Sequence, residues 1–324
     1  MNFAKTRRAL IFAAAALACS APSFSQTFPS KPIRILVPFP AGGPSDNVSR
    51  LIGHRLSETL GQPVVVDNRP GGGGQIAASA LLQAPADGYT LFVGDIGAMA
   101  INPYIYSKLS FNPLKDFQPL TTLMISSMAA IVPAASTATS INDLLRESRA
   151  NKPVTFASQG IGTGGHILGE LLAISGKTKL QHIPYKGSAA ALQAVMAGEV
   201  DLLFDSVGAA SPFASSGKVK IIALADTKRS PLAPNVATTT EQGLPDVKMF
   251  AWYALAVRSG TPDAIARRLN SEVVAALNNP DVQRKLKESG FEPAPSTIDE
   301  VVSLVKQENR RWEEVVRAAK INAD

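Results

Sequence analysis

Serine, histidine and glycine concentrate in one stretch of this chain, and together they offer two kinds of chemistry. Ser158, Gly160, Ile161, Gly162, Thr163, Gly164, Gly165 and His166 fall within 13 residues of Val154. Gly160, Gly162 and Gly165 match G-x-G-x-x-G, behind a β-like run at 154–157 and ahead of a helical pattern at Ile167, Leu168, Leu171 and Leu172. That is the layout of a dinucleotide-binding turn. A dinucleotide also needs an acid about 20 residues further on, to meet the ribose hydroxyls. The chain has Ile183-Pro184-Tyr185-Lys186-Gly187 there, with no carboxylate. The other chemistry is nucleophilic. Phe156 stands where a G-x-S-x-G elbow needs its first glycine, so that motif fails. A hydrolase using Ser158 with His166 as base remains as an alternative.

Glycines that bring exposed N–H groups to a helix start also make an anion site. The first-turn N–H groups lack intrahelical partners, and the macrodipole adds partial positive charge. The same device occurs earlier. Pro38-Phe39-Pro40-Ala41-Gly42-Gly43-Pro44-Ser45-Asp46 follows one apolar strand and opens a helix. Two such loops facing each other would hold a small dicarboxylate at both ends. Metal chemistry is not expected. The three histidines have no metal spacing, no H-E-x-x-H occurs, and the tetraglycine at Gly71 lacks the lysine of a P-loop. No cofactor is expected.

The elements that must position these loops alternate. Strands are expected at 33–37, 64–66 and 89–93, with helices between them, and this β-α-β-α-β order implies a parallel sheet. The grammar restarts at Ser140, with strands at 154–157, 180–183, 200–204 and 219–225 and a helix at 188–197 closed by Gly198. A long apolar strand, 249–257, precedes three C-terminal helices. The first of these is read as capped by Thr261 with Pro262 in its first turn, and the last as opened by a Thr297–Glu300 capping box. The fold class expected is α/β: two Rossmann-like α/β domains joined by two crossover strands, near 123–131 and 249–257. Domain 1 is discontinuous, residues 26–124 with 249–324, and domain 2 is 125–248. A ligand cleft between them is the natural site.

Residues 1–25 read as a secretory signal peptide. Lys5, Arg7 and Arg8 precede the apolar run 9–18, and small residues at 23 and 25 mark a cleavage site near Ser25. A twin-arginine signal fits the same start. The single cysteine, Cys19, falls inside this segment and reads as incidental rather than as a lipid anchor. The mature chain therefore has no thiol chemistry and no disulfide. Removing three cations and no acids takes the formal charge from +6 to +3. No basic cluster with interleaved aromatics points to nucleic acid.

Several ordered motifs carry a resemblance. They are Val37-Pro38-Phe39-Pro40-Ala41-Gly42-Gly43-Pro44-Ser45-Asp46, Asp67-Asn68-Arg69-Pro70-Gly71-Gly72-Gly73-Gly74, Ala84-Pro85-Ala86-Asp87-Gly88-Tyr89-Thr90-Leu91 and Ala100-Ile101-Asn102-Pro103. Gly164-Gly165-His166, Ile183-Pro184-Tyr185-Lys186-Gly187, 198–205 ending in Phe204-Asp205, and Trp252-Tyr253 complete the set. Together they resemble the Bug-type periplasmic receptors of tripartite tricarboxylate transporters, over nearly all of the mature chain. The resemblance implies a type II-like periplasmic binding protein that is not an enzyme. It implies capture of a small carboxylate (a di- or tricarboxylate, an acidic amino acid or an aromatic acid) and delivery to a large and a small membrane subunit, by a monomer. An alternative partner is a signalling system to which the receptor presents ligand. It places one end of the ligand on Phe39, Pro40, Ala41, Gly42, Gly43 and Ser45. The other end falls to Ser158, Gly160, Ile161, Gly162, Thr163, Gly164, Gly165 and His166. Asp205, at a strand end, lines the cleft or caps the next helix. The chain departs from the family after its third strand, where Gly94-Asp95-Ile96-Gly97-Ala98-Met99 replaces a Thr/Ser/His-rich turn. Asp95 caps a short helix there or, facing the cleft, favours an ammonium, a ring N–H or a hydroxyl.

Overall fold

The computed structural model describes residues 28–150 and 152–322; the expected signal peptide and Cys19 lie outside them. Residues from Lys31 onward form one compact unit. Strand β1 (Ile33–Val37) leads through the 38–43 loop into helix α1 (Pro44–Leu60). Then come β2 (Val64–Asn68), α2 (Gln75–Gln83) and β3 (Thr90–Asp95). The long β4 (Phe117–Pro133) is followed by α3 (Ile141–Arg149), β5 (Thr155–Ser158), α4 (Gly164–Ser175), β6 (Gln181–Pro184) and α5 (Ser188–Ala197). Next are β7 (Leu202–Ser206), α6 (Val207–Ser215), β8 (Val219–Leu224) and β9 (Phe250–Arg258). Helices α7 (Asp263–Asn278) and α8 (Pro280–Glu288), the short β10 (Glu292–Pro293) and α9 (Ile298–Ala319) close the chain. None of the described helices is long and apolar enough to cross a membrane.

The sheet runs β2-β1-β3-β9-β4-β7-β5-β6, with β8 and β10 also paired to β4. Its two ends are parallel, β1 with β2 and β3, and β5 with β6 and β7. That is the geometry a helical crossover produces. Its middle is antiparallel: β9 runs against β3 and β4, and β4 runs against β7. The parallel order expected for the first three strands is the one observed. β4 pairs β9 along its first part and β7 and β8 along its last. Its register slips at Pro119/Thr121, beside a residue that cannot donate to a ladder.

Apolar side chains of both halves meet in a continuous core that includes Phe92, Phe156, Phe204, Trp252 and Trp312, all fully buried. Helix α9 buries Val301, Val305, Trp312 and Val316 at helical spacing. Two polar groups on that face are buried with partners. Trp312 Nε1–H donates to Glu308 at 3.0 Å, and Asn309 donates to the Met99 carbonyl at 2.8 Å. The second bond fixes the turn that follows β3. Helix α7 starts one residue later than expected, with Pro262 as its N-cap; the Thr261 hydroxyl bonds back to the Arg258 carbonyl instead.

Candidate functional site

The 38–43 loop is held before any ligand arrives. Gly42 takes φ +85°, the left-handed region that glycine enters without strain. Gly43 is the N-cap of α1 and Pro44 its first residue, so the remaining first-turn N–H groups are left for something else. Asp46, in that first turn and 2% exposed, ties the loop down. Its carboxylate accepts from the Gly42 N–H and Arg50 Nε, both at 2.9 Å, and from Asn68 Nδ2 at 3.0 Å. Asn68 also donates to the Phe39 carbonyl at 3.0 Å. Burial works to raise the Asp46 pKa, but the bonds from Arg50, Gly42 and Asn68 outweigh it and hold the group below its usual value. The pairing with Arg50 (2.9 Å) offsets a charge that would otherwise repel an anion at the helix start.

The second loop turns on Gly160 (φ +136°) and Gly162 (φ +80°) and enters α4 at its N-cap, Thr163. The Thr163 hydroxyl donates to the Gly160 carbonyl at 2.7 Å. The helix start lies close on β7: a Cβ on Gly165 would stand 2.5 Å from the Phe204 carbonyl. The tip of the loop reaches the first half of the sheet. The Tyr106 hydroxyl donates to the Ile161 carbonyl at 3.1 Å, and a Cβ on Gly162 would stand 2.5 Å from Asn102 Oδ1.

Both helix starts open on one cavity. Its volume is about 60 Å³, several times the ~10–15 Å³ that a single water needs. Of the residues expected from sequence, Phe39, Pro40, Ala41, Gly43, Ser45, Asp95, Thr163, Gly164 and Asp205 line it. Gly42, Ser158, Gly160, Ile161, Gly162, Gly165 and His166 do not; they shape the loops behind the wall. Met128, Gln159, Lys186 to Ala189, Ser206 and Ala251 to Tyr253 also line it without having been expected there. The Tyr-Lys-Gly and Trp-Tyr motifs were the available signals for Lys186, Gly187, Trp252 and Tyr253, but a motif does not say which way its side chains face.

His166 is 5% exposed and turned away from the cavity. Its Nδ1 accepts from the Gly162 N–H at 3.3 Å, and its ring stacks on His182 with centroids 4.2 Å apart. Phe156 covers the other face of His182. Burial lowers the His166 pKa to about 4, and burial with the neighbouring His166 lowers that of His182 to about 3, so both rings are neutral. Ser158, fully buried, shares a 2.7 Å hydrogen bond with His182 rather than with His166. A Ser158–His166 nucleophile pair is therefore not assembled in this geometry. Among the described residues, no group of three or more His, Cys, Asp or Glu could hold a metal ion.

The two carboxylates divide their work. Asp95 accepts from the Ala98 N–H at 3.1 Å, capping the turn, and lines the cavity as well. Asp205 lines it too, accepting from the Ser188 hydroxyl and from the Ser206 N–H at 2.7 Å, while Ser206 is the residue that caps α6. Burial raises both carboxyl pKa values above the ordinary aspartate range.

The family model of the tripartite tricarboxylate transporter family receptor, TctC, matches residues 48–321. The chain belongs to this family. Among TctC relatives, a UPF0065 protein from the tcbD-tcbE intergenic region of Pseudomonas sp. strain P51 is 35% identical over 299 residues, covering 92% of this chain and 89% of that one. MatC from Rhodopseudomonas palustris, solved with bound malate, is 33% identical with a TM-score of 0.85, covering 89% of this chain and all of that one. Rpa4515 from R. palustris, solved with adipate, is 33% identical with a TM-score of 0.86, covering 91% and 99%. The fold is thus the mixed α/β fold of TctC-type periplasmic solute-binding proteins, and the chain is a solute-binding receptor of that family.

Proposed function

We propose that the receptor captures a small carboxylate in this cavity, without turning it over, and delivers it to the two membrane permease subunits of a tripartite transporter. The observation that carries the reading is the convergence of two glycine-built helix N-termini, at Gly43 and at Thr163, on one small cavity. Each presents N–H groups and the positive end of a dipole, and a carboxylate answers both. Malate and adipate in the two R. palustris relatives are small carboxylates, which fits this class. Neighbours that include the periplasmic binding protein BugD support work in the periplasm, with residues 1–25 acting as the export signal in this reading.

In this reading the chain works as two lobes, 26–124 with 249–324 and 125–248, which hinge on β4 and β9. Closure brings the Gly162 turn against Asn102 and Tyr106, and Gly187 against Pro40. Opening admits the ligand, and closure excludes water from the dipoles that hold it.

The test is a melting screen of ligand-free protein against dicarboxylates, tricarboxylates, amino acids and aromatic acids. A ligand at about a thousand times its dissociation constant adds roughly 4 kcal/mol and raises the midpoint saturably. If no acid moves the midpoint, or if a bound acid is chemically converted, the proposal is wrong.

A further inference from the structure

Two carboxylates stand in the cavity wall, and neither has a cation. Asp95 is 8% exposed and Asp205 5%. Their partners are neutral donors: backbone N–H groups for Asp95, and Ser188, Ser206 and Gln159 for Asp205. Lys186 lines the cavity but is exposed and pairs with neither. The antiparallel register sets Asp95 opposite Tyr253, which puts both side chains on one face of the sheet. The Tyr253 phenol is pushed above its usual pKa by burial and then by the charges of Asp95 and Asp205. Both acids therefore act on the same side chain.

The cavity wall also holds groups with the opposite need. Ser45 Oγ and Trp252 Nε1 are buried and have no hydrogen-bond partner, in residues 1% and 0% exposed. An indole N–H can only donate, so it asks for an acceptor. The carboxylates ask for a donor, and a buried charge without a counter-charge is strongly unfavourable. Plain diacids supply acceptors at both ends and leave the two aspartates facing more negative charge.

We propose that the ligand is an amino acid, its carboxylate held at the helix starts with Ser45 and Trp252, its ammonium set against Asp95 and Asp205, and that Asp95 determines this selectivity. The inference rests on the receptor reading above and narrows it. An ammonium offers three N–H donors and one positive charge, which meets both carboxylates and leaves the tyrosine hydroxyl a neighbour to bond.

The test uses matched pairs on the mature full-length protein, freed of endogenous ligand by unfolding and refolding. The twenty common amino acids and 4-aminobutyrate are titrated calorimetrically at pH 7.5, each against the same acid lacking its amine; succinate, malate and adipate are included as plain acids. At least one amine-bearing member should bind roughly tenfold or more tighter than its partner, as expected for a charge-assisted contact out of water. Asp95→Asn keeps an oxygen for the Ala98 N–H, so the fold should persist while that ratio falls to about two or less. Binding of the amino acid should also weaken as pH falls and the aspartates take up protons. Three results overturn the inference alone: a plain acid binding as tightly as its amine counterpart, a ratio that survives Asp95→Asn, or binding that tightens on acidification. Failure of every acid to bind would instead remove the receptor reading beneath it.

Discussion

Gly162→Ala separates loop conformation from loop contact. The new methyl carries two penalties. One is conformational: φ +80° suits glycine, and an L-residue held there loses about 1–2 kcal/mol. That penalty belongs to the loop wherever it sits, so it should appear in folding stability. The other arises only when the loop meets the first half of the sheet. The Cβ would lie 2.5 Å from Asn102 Oδ1, 3.1 Å from Tyr106 Cε2 and 3.2 Å from Ile105 Cδ1. Asn102 is fully buried, and its amide nitrogen is committed to the Gly73 carbonyl at 2.6 Å. Moving the oxygen breaks that bond, and a buried polar group left unpaired costs about 1–3 kcal/mol. If ligand is held only in the closed arrangement, the second penalty falls on binding, roughly a 10- to 100-fold loss of affinity. Gly217→Ala is the control, because its φ is +70° and its Cβ would meet nothing within 4 Å. It should lower stability by a similar 1–2 kcal/mol and leave affinity unchanged. Urea denaturation gives the first quantity, and calorimetric titration with the acid that stabilises the wild type gives the second. Equal affinities for the two variants, within twofold, would refute the claim that the Gly162 contact belongs to the bound state.

Ser45→Ala should leave the free protein as stable as before, since the hydroxyl has no partner to lose, yet weaken the acid about tenfold in the same titration. His166 gives a pH-dependent result. Its folded pKa, about 4, lies below the unfolded value near 6.5, so its contribution is complete above about pH 6.5 and is lost as pH falls toward 4, up to about 3 kcal/mol in all. The raised carboxyls of Asp95, Asp205 and Glu170 work in the opposite direction, so wild type is compared with His166→Gln: the variant's deficit in urea should be smaller at pH 4.5 than at pH 7.5, and a constant deficit would show that the ring titrates normally. Ser140→Ala removes one half of a capping box far from the cavity. It should cost about 1 kcal/mol, some 2–3 °C in midpoint, with affinity unchanged.

Much of this architecture was legible because its signals are local. Apolar runs located eight of the strands to within a residue or two, while β4, expected near 123–131, spans Phe117–Pro133 and β10 was missed; glycine before Pro44 marked the start of α1. The antiparallel centre was not legible, since pairing direction depends on where β4 and β9 travel, and period-two patterning is the same either way. Asp95 illustrates a second limit. Its sequence position allowed capping or lining, and the structure assigns it both, because one oxygen meets Ala98 while the residue still borders the cavity. His166 illustrates a third. A histidine beside a glycine loop at a helix start is chemically conspicuous, but residue type does not reveal the stacking partner, and His182 arrives from a strand 16 residues later.

The 38–43 loop offers peptide N–H groups at the start of α1, held in place by Asp46 and Asn68 from behind. Peptide groups are the same whichever side chain they carry, so recognition of this kind is nearly silent to alanine scanning. Replacing Phe39 trims the wall without removing the dipoles. The same property leaves neighbouring side chains free to diverge, so one inherited chain conformation can serve many cargoes through changes at a few positions such as Asp95. A search for new specificity would therefore randomise the wall and leave the glycines alone.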